Sequence, residues 1–132
     1  MKTATIKQSY TFHASPEEVY ELIMDAKKHA AFTGGPVRMS KKVNGPFEVF
    51  GGYAYGSNIE LLPGKKIVQA WHFREEGWPD GHFSLCTFRF FPKGSSTLMR
   101  FTQTGVPEQS MKNLKNGWKE FYWNPMKKAL IK

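Results

Sequence analysis

Apolar and polar residues alternate along much of the chain, which predicts six strands because successive strand side chains point to opposite faces. The first strand is residues 3–12, where Ile6, Tyr10 and Phe12 alternate with polar positions. The other five are residues 46–50, 53–62, 66–73, 83–91 and 97–104. Short links of turn chemistry separate them, namely GG, PGK, GWPDG and PKGSS. Links this short predict that neighbouring strands pair antiparallel.

Two short helices are predicted directly after the first strand. Ser15 and Glu18 have the spacing of a capping box at the start of SPEEVYELIM, in which apolar residues recur at helical spacing. The stretch AKKHAAF is the second helix, and the glycine pair that begins at Gly34 is expected to end it.

The last part of the chain predicts a longer helix of about five turns, with one broad apolar side. That side comprises Met111, Leu114, Trp118, Phe121, Tyr122, Pro125 and Ala129. The apolar face of the sheet needs a cover, and this helix is expected to provide it, with a bend at the proline. In a regular α-helix, Trp118 and Trp123 point about 140° apart. Trp118 is therefore expected to be buried against the strands and Trp123 to lie partly exposed at the edge.

Composition limits the organisation to one domain, residues 1–132. The chain is 40% hydrophobic and 15% aromatic, which supplies one core but not two. It begins without an apolar export signal, contains no apolar stretch of membrane-spanning length, and has a single cysteine, Cys86. We therefore expect a cytoplasmic protein without membrane insertion, monomeric or weakly dimeric.

The net charge of +8 is concentrated near the end, where residues 109–132 contain six lysines and one acid, Glu120. Lys112, Lys119 and Trp123 share one flank of the predicted helix, which could meet an acidic partner; the alternative is a solvated face. Nucleic acid is not favoured as a partner, because the core needs the aromatics and no recognition helix or stacking motif is present.

The order of elements resembles the helix-grip fold of the START-like (SRPBCC) superfamily. The segments GHFSLCTFRF (81–90), GVPEQ (105–109) and NGWKEFYWNPMKKAL (116–130) are similar to the C-terminal domain of the activator of heat-shock protein 90 ATPase. The motif residues are Gly81, His82, Phe83, Gly105, Pro107, Gly117, Trp118, Phe121 and Tyr122. The resemblance implies an α+β fold. A curved antiparallel sheet of six or seven strands would wrap on a long C-terminal helix, with two short helices after the first strand.

The resemblance also implies a function of one of two kinds. Relatives in the superfamily hold apolar molecules between sheet and helix, which predicts a non-catalytic protein that binds a small apolar ligand. The alternative is a co-chaperone-like protein that binds an acidic surface of a 90-kilodalton heat-shock chaperone and stimulates its ATPase. A cyclase-type enzyme is third. The predicted cavity lining is Tyr55, Ser57, Ile59, Trp71, Phe73, Cys86, Phe88, Phe90, Met99, Phe101, Gln103, Leu114, Trp118, Phe121 and Tyr122. The same side chains could instead fill the space as core.

No constellation in the sequence supports catalysis, a metal or a cofactor. The four histidines include no pair at i, i+3 or i+4, so a zinc site is not expected. Cys86 sits among Phe and Thr in a predicted strand, which favours a buried, inert thiol. His82 follows the PDG turn and is expected to fix it by hydrogen bonding.

Overall fold

The computed structural model describes residues 1–130. Within that range the chain forms a seven-stranded antiparallel sheet. The strands are β1 (Thr3–Phe12), β2 (Val37–Met39), β3 (Pro46–Val49), β4 (Ala54–Leu62), β5 (Lys66–Phe73), β6 (Ser84–Lys93) and β7 (Ser96–Pro107). Their order across the sheet is β1-β7-β6-β5-β4-β3-β2, so β1 and β2 are the edges. The predicted α+β helix-grip fold is confirmed, with every predicted strand present.

The three-residue edge strand β2 is the element that was missed. It pairs with β3 from Val37 opposite Val49 to Met39 opposite Phe47. Three residues are too short for a convincing alternation, and the segment follows a glycine pair and a proline that read as loop.

The two short helices are α1 (Pro16–Met24) and α2 (Ala26–Thr33). The Ser15 hydroxyl accepts a hydrogen bond from the backbone N–H of Glu18 at 3.2 Å, and the Glu18 carboxylate accepts one from the backbone N–H of Ser15. This is the predicted capping box, which satisfies two otherwise unpaired donors. The second helix ends at Gly34, whose φ of 79° lies in the left-handed region that glycine adopts without strain.

The histidine of the PDG turn has the expected structural role. Nε2 of the His82 ring donates a hydrogen bond to the Gly105 carbonyl oxygen at 2.7 Å. The backbone carbonyl oxygen of His82 accepts a hydrogen bond from Nδ1 of His72 at 2.8 Å. Two of the three motif segments are thereby joined directly, because one contains His82 and the other Gly105.

The C-terminal helix is not one regular α-helix. It consists of α3 (Met111–Trp118), a π-turn (Lys119–Trp123) and α4 (Asn124–Ala129). In the π-turn the backbone N–H of Asn124 bonds to the carbonyl of Lys119, five residues earlier. A turn with an extra residue brings positions i and i+5 to the same side of the helix.

The π-turn overturns the prediction that Trp123 is partly exposed. Trp123 is 1% exposed and stacks on Trp118, with ring centroids 5.4 Å apart and planes 12° from parallel. Phe121, predicted to face the sheet, is instead 48% exposed. The prediction assumed 100° of rotation per residue throughout. Ala129 is also exposed, and Met126 is fully buried in its place.

The core lies between the helices and the inner face of the sheet. We define the inner face by the residues that point toward the C-terminal helix, such as Phe88 and Phe101, which are both buried. The rings of Phe101 and Trp118 are 4.6 Å apart, and those of Phe101 and Trp123 are 5.0 Å apart. Both tryptophans therefore pack on the same strand, β7, next to the edge strand β1.

These contacts predict that the two tryptophans contribute about equally to the free energy of unfolding. Trp118→Ala and Trp123→Ala should each lower the free energy of unfolding by about 3 to 5 kcal/mol, as other large core truncations do. Phe121→Ala, on the same helix, should cost about 1 kcal/mol or less because its ring is half-exposed. Chemical denaturation measures all three. A loss at Trp123 no larger than that at Phe121 would contradict the π-turn.

Candidate functional site

A pocket of about 330 Å³ opens between the sheet and the C-terminal helix. Its walls come from three places: the connection between β3 and β4, the end of β5, and α3 with the following π-turn. The lining residues are Val49, Phe50, Tyr53, Ala54, Trp71, Phe73, Asn113, Leu114, Gly117, Trp118, Phe121 and Tyr122. Seven of these twelve are aromatic, so a guest would meet mainly ring faces and edges.

Two of the rings that line the pocket, Phe50 and Phe121, contact each other. Their ring centroids are 5.9 Å apart in an edge-to-face arrangement, and Phe50 also contacts Tyr122. Phe50 has a φ of +52°, which costs a non-glycine residue conformational energy. Gly51 and Gly52, with φ of 65° and 99°, continue this left-handed course without strain. The connection thus aims a large aromatic side chain at the helix.

Both tryptophan donors in the pocket are already hydrogen bonded within the protein. The indole N–H of Trp71 donates to Oε1 of Gln69 at 2.9 Å. The indole N–H of Trp118 donates to Oε1 of Gln103 at 2.8 Å, and Gln103 in turn donates to the Ser84 hydroxyl. Neither tryptophan therefore offers a free donor to a guest.

The hydroxyl of Tyr122 is also occupied. His29, which is fully buried, donates from Nδ1 to the carbonyl oxygen of Ile23 at 2.9 Å. Its Nε2 is then the acceptor for the Tyr122 hydroxyl, 2.7 Å away. Burial lowers the pKa of His29 to about 4 and raises the pKa of Tyr122 well above its ordinary value. Both groups are therefore neutral near pH 7.

The remaining polar side chains of the pocket lie at its rim. Tyr53 donates its hydroxyl to the carboxylate of Glu75, and Asn113 is exposed on α3. Asn113 is thus the one lining side chain whose polar group is not bonded inside the described part of the protein.

The predicted cavity lining divides into three groups. Six residues line the pocket: Trp71, Phe73, Leu114, Trp118, Phe121 and Tyr122. Six more are buried on the inner face but do not reach the pocket: Cys86, Phe88, Phe90, Met99, Phe101 and Gln103. In that part of the structure side chains fill the space between sheet and helix. The cavity is therefore confined to one end.

The third group, Tyr55, Ser57 and Ile59, was placed on the wrong face of β4. Gly56 lies opposite Trp71, and Tyr55 lies opposite His72. Residues opposite each other share a face, so Gly56 lies on the inner face with Trp71. Tyr55 and Ser57, on either side of Gly56, therefore lie on the outer face. A register shift between Asn58 and Glu60 marks a bulge, which leaves Ile59 exposed. The inward positions are Ala54, Gly56 and Asn58, which are small or polar and gave no apolar signal.

The predicted partner-binding flank is also changed. Lys112 and Lys119 are exposed as expected, but Trp123 is buried and donates its indole N–H to Oε1 of Gln8 at 2.7 Å. The flank is therefore basic without an aromatic anchor.

Several pocket and buried residues escaped the sequence analysis. Phe50 was read as the end of a strand, and nothing in the sequence announces its positive φ. Only the structure shows that Gly35 leaves room for this side chain, because a Cβ there would lie 2.9 Å from the Phe50 ring. His29 was treated as an isolated histidine, and its contact with Tyr122 spans 93 positions of sequence.

Cys86 is buried, as predicted, and burial raises the pKa of its thiol well above the ordinary value. Among residues 1–130, no three His, Cys, Asp or Glu side chains are grouped so that they could hold a metal ion. No helix in this range is long and apolar enough to cross a membrane.

Comparison with known proteins identifies a matching family model and several relatives of this chain. The family model described as "Activator of Hsp90 ATPase homolog 1-like protein" matches residues 13–130. The human "Activator of 90 kDa heat shock protein ATPase homolog 1" is 31% identical over 127 residues, 96% of this chain and 37% of that protein. The Dictyostelium discoideum "Activator of 90 kDa heat shock protein ATPase homolog" is 34% identical over 118 residues, 89% of this chain and 30% of its own length. The chain thus spans about a third of these curated relatives.

Among solved structures, an HSP90 activator from Plasmodium falciparum superposes with a TM-score of 0.87 at 24% identity. The match covers 96% of this chain and 95% of that one.

Burial of neutral His29 predicts a pH-dependent stability. The folded pKa is about 4, below the unfolded value of about 6.5, so the unfolded chain binds the proton more readily. Above about pH 6.5 this difference in pKa does not lower the free energy of unfolding. As the pH drops from there toward 4, the free energy of unfolding falls. We expect a loss of about 2 kcal/mol between pH 7.5 and pH 5, measured by denaturation at each pH.

Two variants separate His29 from the other histidines. His29→Gln should flatten the profile over this window, whereas His13→Gln, at an exposed position, should leave it unchanged. An unaltered slope in His29→Gln would mean that another group is responsible.

Proposed function

The chain belongs to the activator of Hsp90 ATPase homolog 1-like family, and we propose that it is a non-catalytic binding domain which holds a small apolar molecule in its aromatic pocket. The observation that carries the proposal is the open space of about 330 Å³ between Phe50, Trp71 and the C-terminal helix. Concave, mainly apolar pockets of about 300 to 1,000 Å³ are typical of small-molecule sites. This volume is near the lower end of that range, so the guest has one or two rings.

The hydrogen bonding of the pocket walls indicates the chemistry of the guest. The polar atoms of Trp71, Trp118 and Tyr122 each have a partner inside the protein. A guest with buried donors or acceptors would leave them unpaired, at a cost of about 1 to 3 kcal/mol each. A neutral, planar apolar molecule has no hydrogen bonds to lose on entering, and it gains contact with the rings. Any polar group on the guest would have to lie at the rim beside Asn113.

The expected affinity is moderate. Removing about 200 Å² of guest surface from water contributes roughly 5 kcal/mol, and part of that is offset by the entropy lost on association. A dissociation constant weaker than about 200 μM follows for a small probe without matched polar contacts. Experiments therefore need micromolar protein and high probe concentrations.

Gly117 provides a variant that should close the pocket. It lines the pocket from α3, and a Cβ at this position would meet no atom within 4 Å. Gly117→Leu should fill part of the space and weaken binding of N-phenyl-1-naphthylamine, a neutral two-ring fluorophore, at least tenfold. The measurement is the rise in probe fluorescence together with quenching of tryptophan emission.

The matched control is Asn116→Leu, one residue earlier and exposed. It adds the same apolar side chain to the helix outside the pocket and should leave the affinity unchanged. Both variants replace a poorer helix former by leucine, so neither should be less stable than the parent chain. Equal probe binding in Gly117→Leu and the parent protein would count against the pocket as the site.

The second candidate function is stimulation of a 90-kilodalton heat-shock chaperone. A specific observation favours it: the Plasmodium falciparum structure described as an HSP90 activator matches this chain over 96% of its length and over 95% of that chain. On this chain the exposed lysines of the helix, Lys112, Lys115 and Lys119, form a basic surface that an acidic chaperone segment would complement.

This candidate is tested by adding the chain to a 90-kilodalton chaperone and measuring ATP hydrolysis. Stimulation should weaken with added salt and fall in Lys112→Glu plus Lys119→Glu, because screening and charge reversal both remove the attraction. Gly117→Leu should leave the stimulation intact. Absence of stimulation at saturating protein, or full stimulation by the lysine double variant, would exclude this surface.

A further inference from the structure

The outer face of the sheet, which points away from the C-terminal helix, carries three basic residues side by side. Lys66 on β5 lies opposite Arg89 on β6, and Arg89 lies opposite Arg100 on β7. We call Lys66, Arg89 and Arg100 the basic row. Lys7 on β1 extends it diagonally, because Ser9 lies opposite Arg100 and Lys7 precedes Ser9 by two residues on the same face.

This arrangement is unfavourable for the folded protein on its own. Like charges directly opposite each other on neighbouring strands are destabilising, whereas opposite charges at such positions stabilise. Lys66 is partly neutralised by Glu60, whose carboxylate is 2.9 Å from its ammonium group. The ion pairs found among residues 1–130 do not include Arg89, Arg100 or Lys7. The two guanidinium groups are therefore exposed, adjacent and uncompensated.

Apolar side chains adjoin the basic row. Phe91 lies opposite Leu98 in the next row of the sheet, and Phe91 is 41% exposed. The Arg100 guanidinium lies over the Phe91 ring, 5.6 Å from its centroid. Leu62, also exposed, flanks the row beside Lys66. Exposed aromatic and aliphatic groups next to arginines are the composition typical of protein interfaces.

We propose that the basic row, with Lys7 and Phe91, is a docking surface for an acidic protein segment that also carries aromatic or aliphatic side chains. Guanidinium groups match carboxylates in bidentate geometry, and two adjacent ones suit a segment with neighbouring Asp or Glu residues. The apolar side chains of the segment would pack on Phe91 and Leu98. This surface is on the opposite side of the sheet from the pocket, so the proposal is independent of the function proposed above.

A protein segment fits these observations better than nucleic acid or a membrane. Single-stranded nucleic acid is bound by several aromatic rings that stack successive bases, whereas Phe91 is the one aromatic ring in contact with this row in the described chain. Membrane-binding clusters typically place about four to eight basic residues beside a membrane-spanning helix or on an amphipathic helix, whereas the basic row and Lys7 are four residues on a sheet.

The test uses a short synthetic peptide rich in aspartate and glutamate that contains two phenylalanines. Binding to the full chain at low salt is measured by nuclear magnetic resonance titration, which also locates the contact. We expect the backbone signals of β6 and β7 to shift, and the affinity to fall at least tenfold in Arg89→Gln plus Arg100→Gln. The matched control, Lys127→Gln plus Lys128→Gln, removes two exposed lysines from α4 and should bind the peptide as well as the parent chain.

Three further measurements make the outcome decisive. The arginine double variant should be at least as stable as the parent chain, because it relieves like-charge repulsion, and it should retain its affinity for N-phenyl-1-naphthylamine. Single-stranded DNA and vesicles containing phosphatidylserine should bind more weakly than the peptide. Tighter binding of either, no binding of the peptide, or peptide binding that depends on the helix lysines instead would overturn the proposal.

Discussion

Two stacked tryptophans hold the C-terminal helix on the sheet, and the rest of the structure depends on that attachment. Trp118 donates its indole N–H to Gln103 on β7, and Trp123 donates to Gln8 on β1. Gln8 also donates to the carbonyl oxygen of Lys115, which ties β1 back to α3. Each bond satisfies a donor that would be costly to leave buried without a partner. The π-turn is what allows both rings to reach the sheet, since a regular helix would turn one of them outward.

The same hydrogen bonds determine the character of the pocket. Because Gln69, Gln103 and His29 occupy the polar atoms of Trp71, Trp118 and Tyr122, these large side chains present only aromatic surface to the open space. Farther from the pocket the inner face is filled, as the buried Phe88 and Met99 show. The pocket lies at one end only, where Phe50, in a left-handed conformation in the connection from β3 to β4, contacts the C-terminal helix. Apart from Asn113, the wall offers a guest no unpaired side-chain donor in the described part of the chain, which favours apolar guests.

Local signals in the sequence predicted most of the fold, whereas the site depended on features with no local signal. The capping box at Ser15 and the glycine at 34 defined the two short helices, and alternation defined six strands. The π-turn adds one residue to a turn of the helix, and no residue type in the sequence marks it. The prediction therefore placed Phe121 on the buried side and Trp123 on the exposed side, the reverse of their positions in the structure. On β4 the inward positions include Gly56, where a Cβ would collide with the carbonyl of Ala70. The side chains with an apolar signal, Tyr55 and Ile59, therefore pointed the prediction to the wrong face. The contact of His29 with Tyr122 joins distant parts of the chain and cannot be read from spacing.

The four tryptophan indole N–H groups provide the most direct test, because each gives one resolved signal in a nitrogen–proton correlation spectrum. Titration with N-phenyl-1-naphthylamine should shift the signals of Trp71 and Trp118, which line the pocket, more than those of Trp78 and Trp123, which do not. The signals of Trp71 and Trp118 should stay protected from solvent exchange at saturation, since their bonds to Gln69 and Gln103 persist when the guest is bound. Loss of that protection, or saturable binding that moves neither signal, would contradict the account of an aromatic pocket whose tryptophan donors are engaged within the protein.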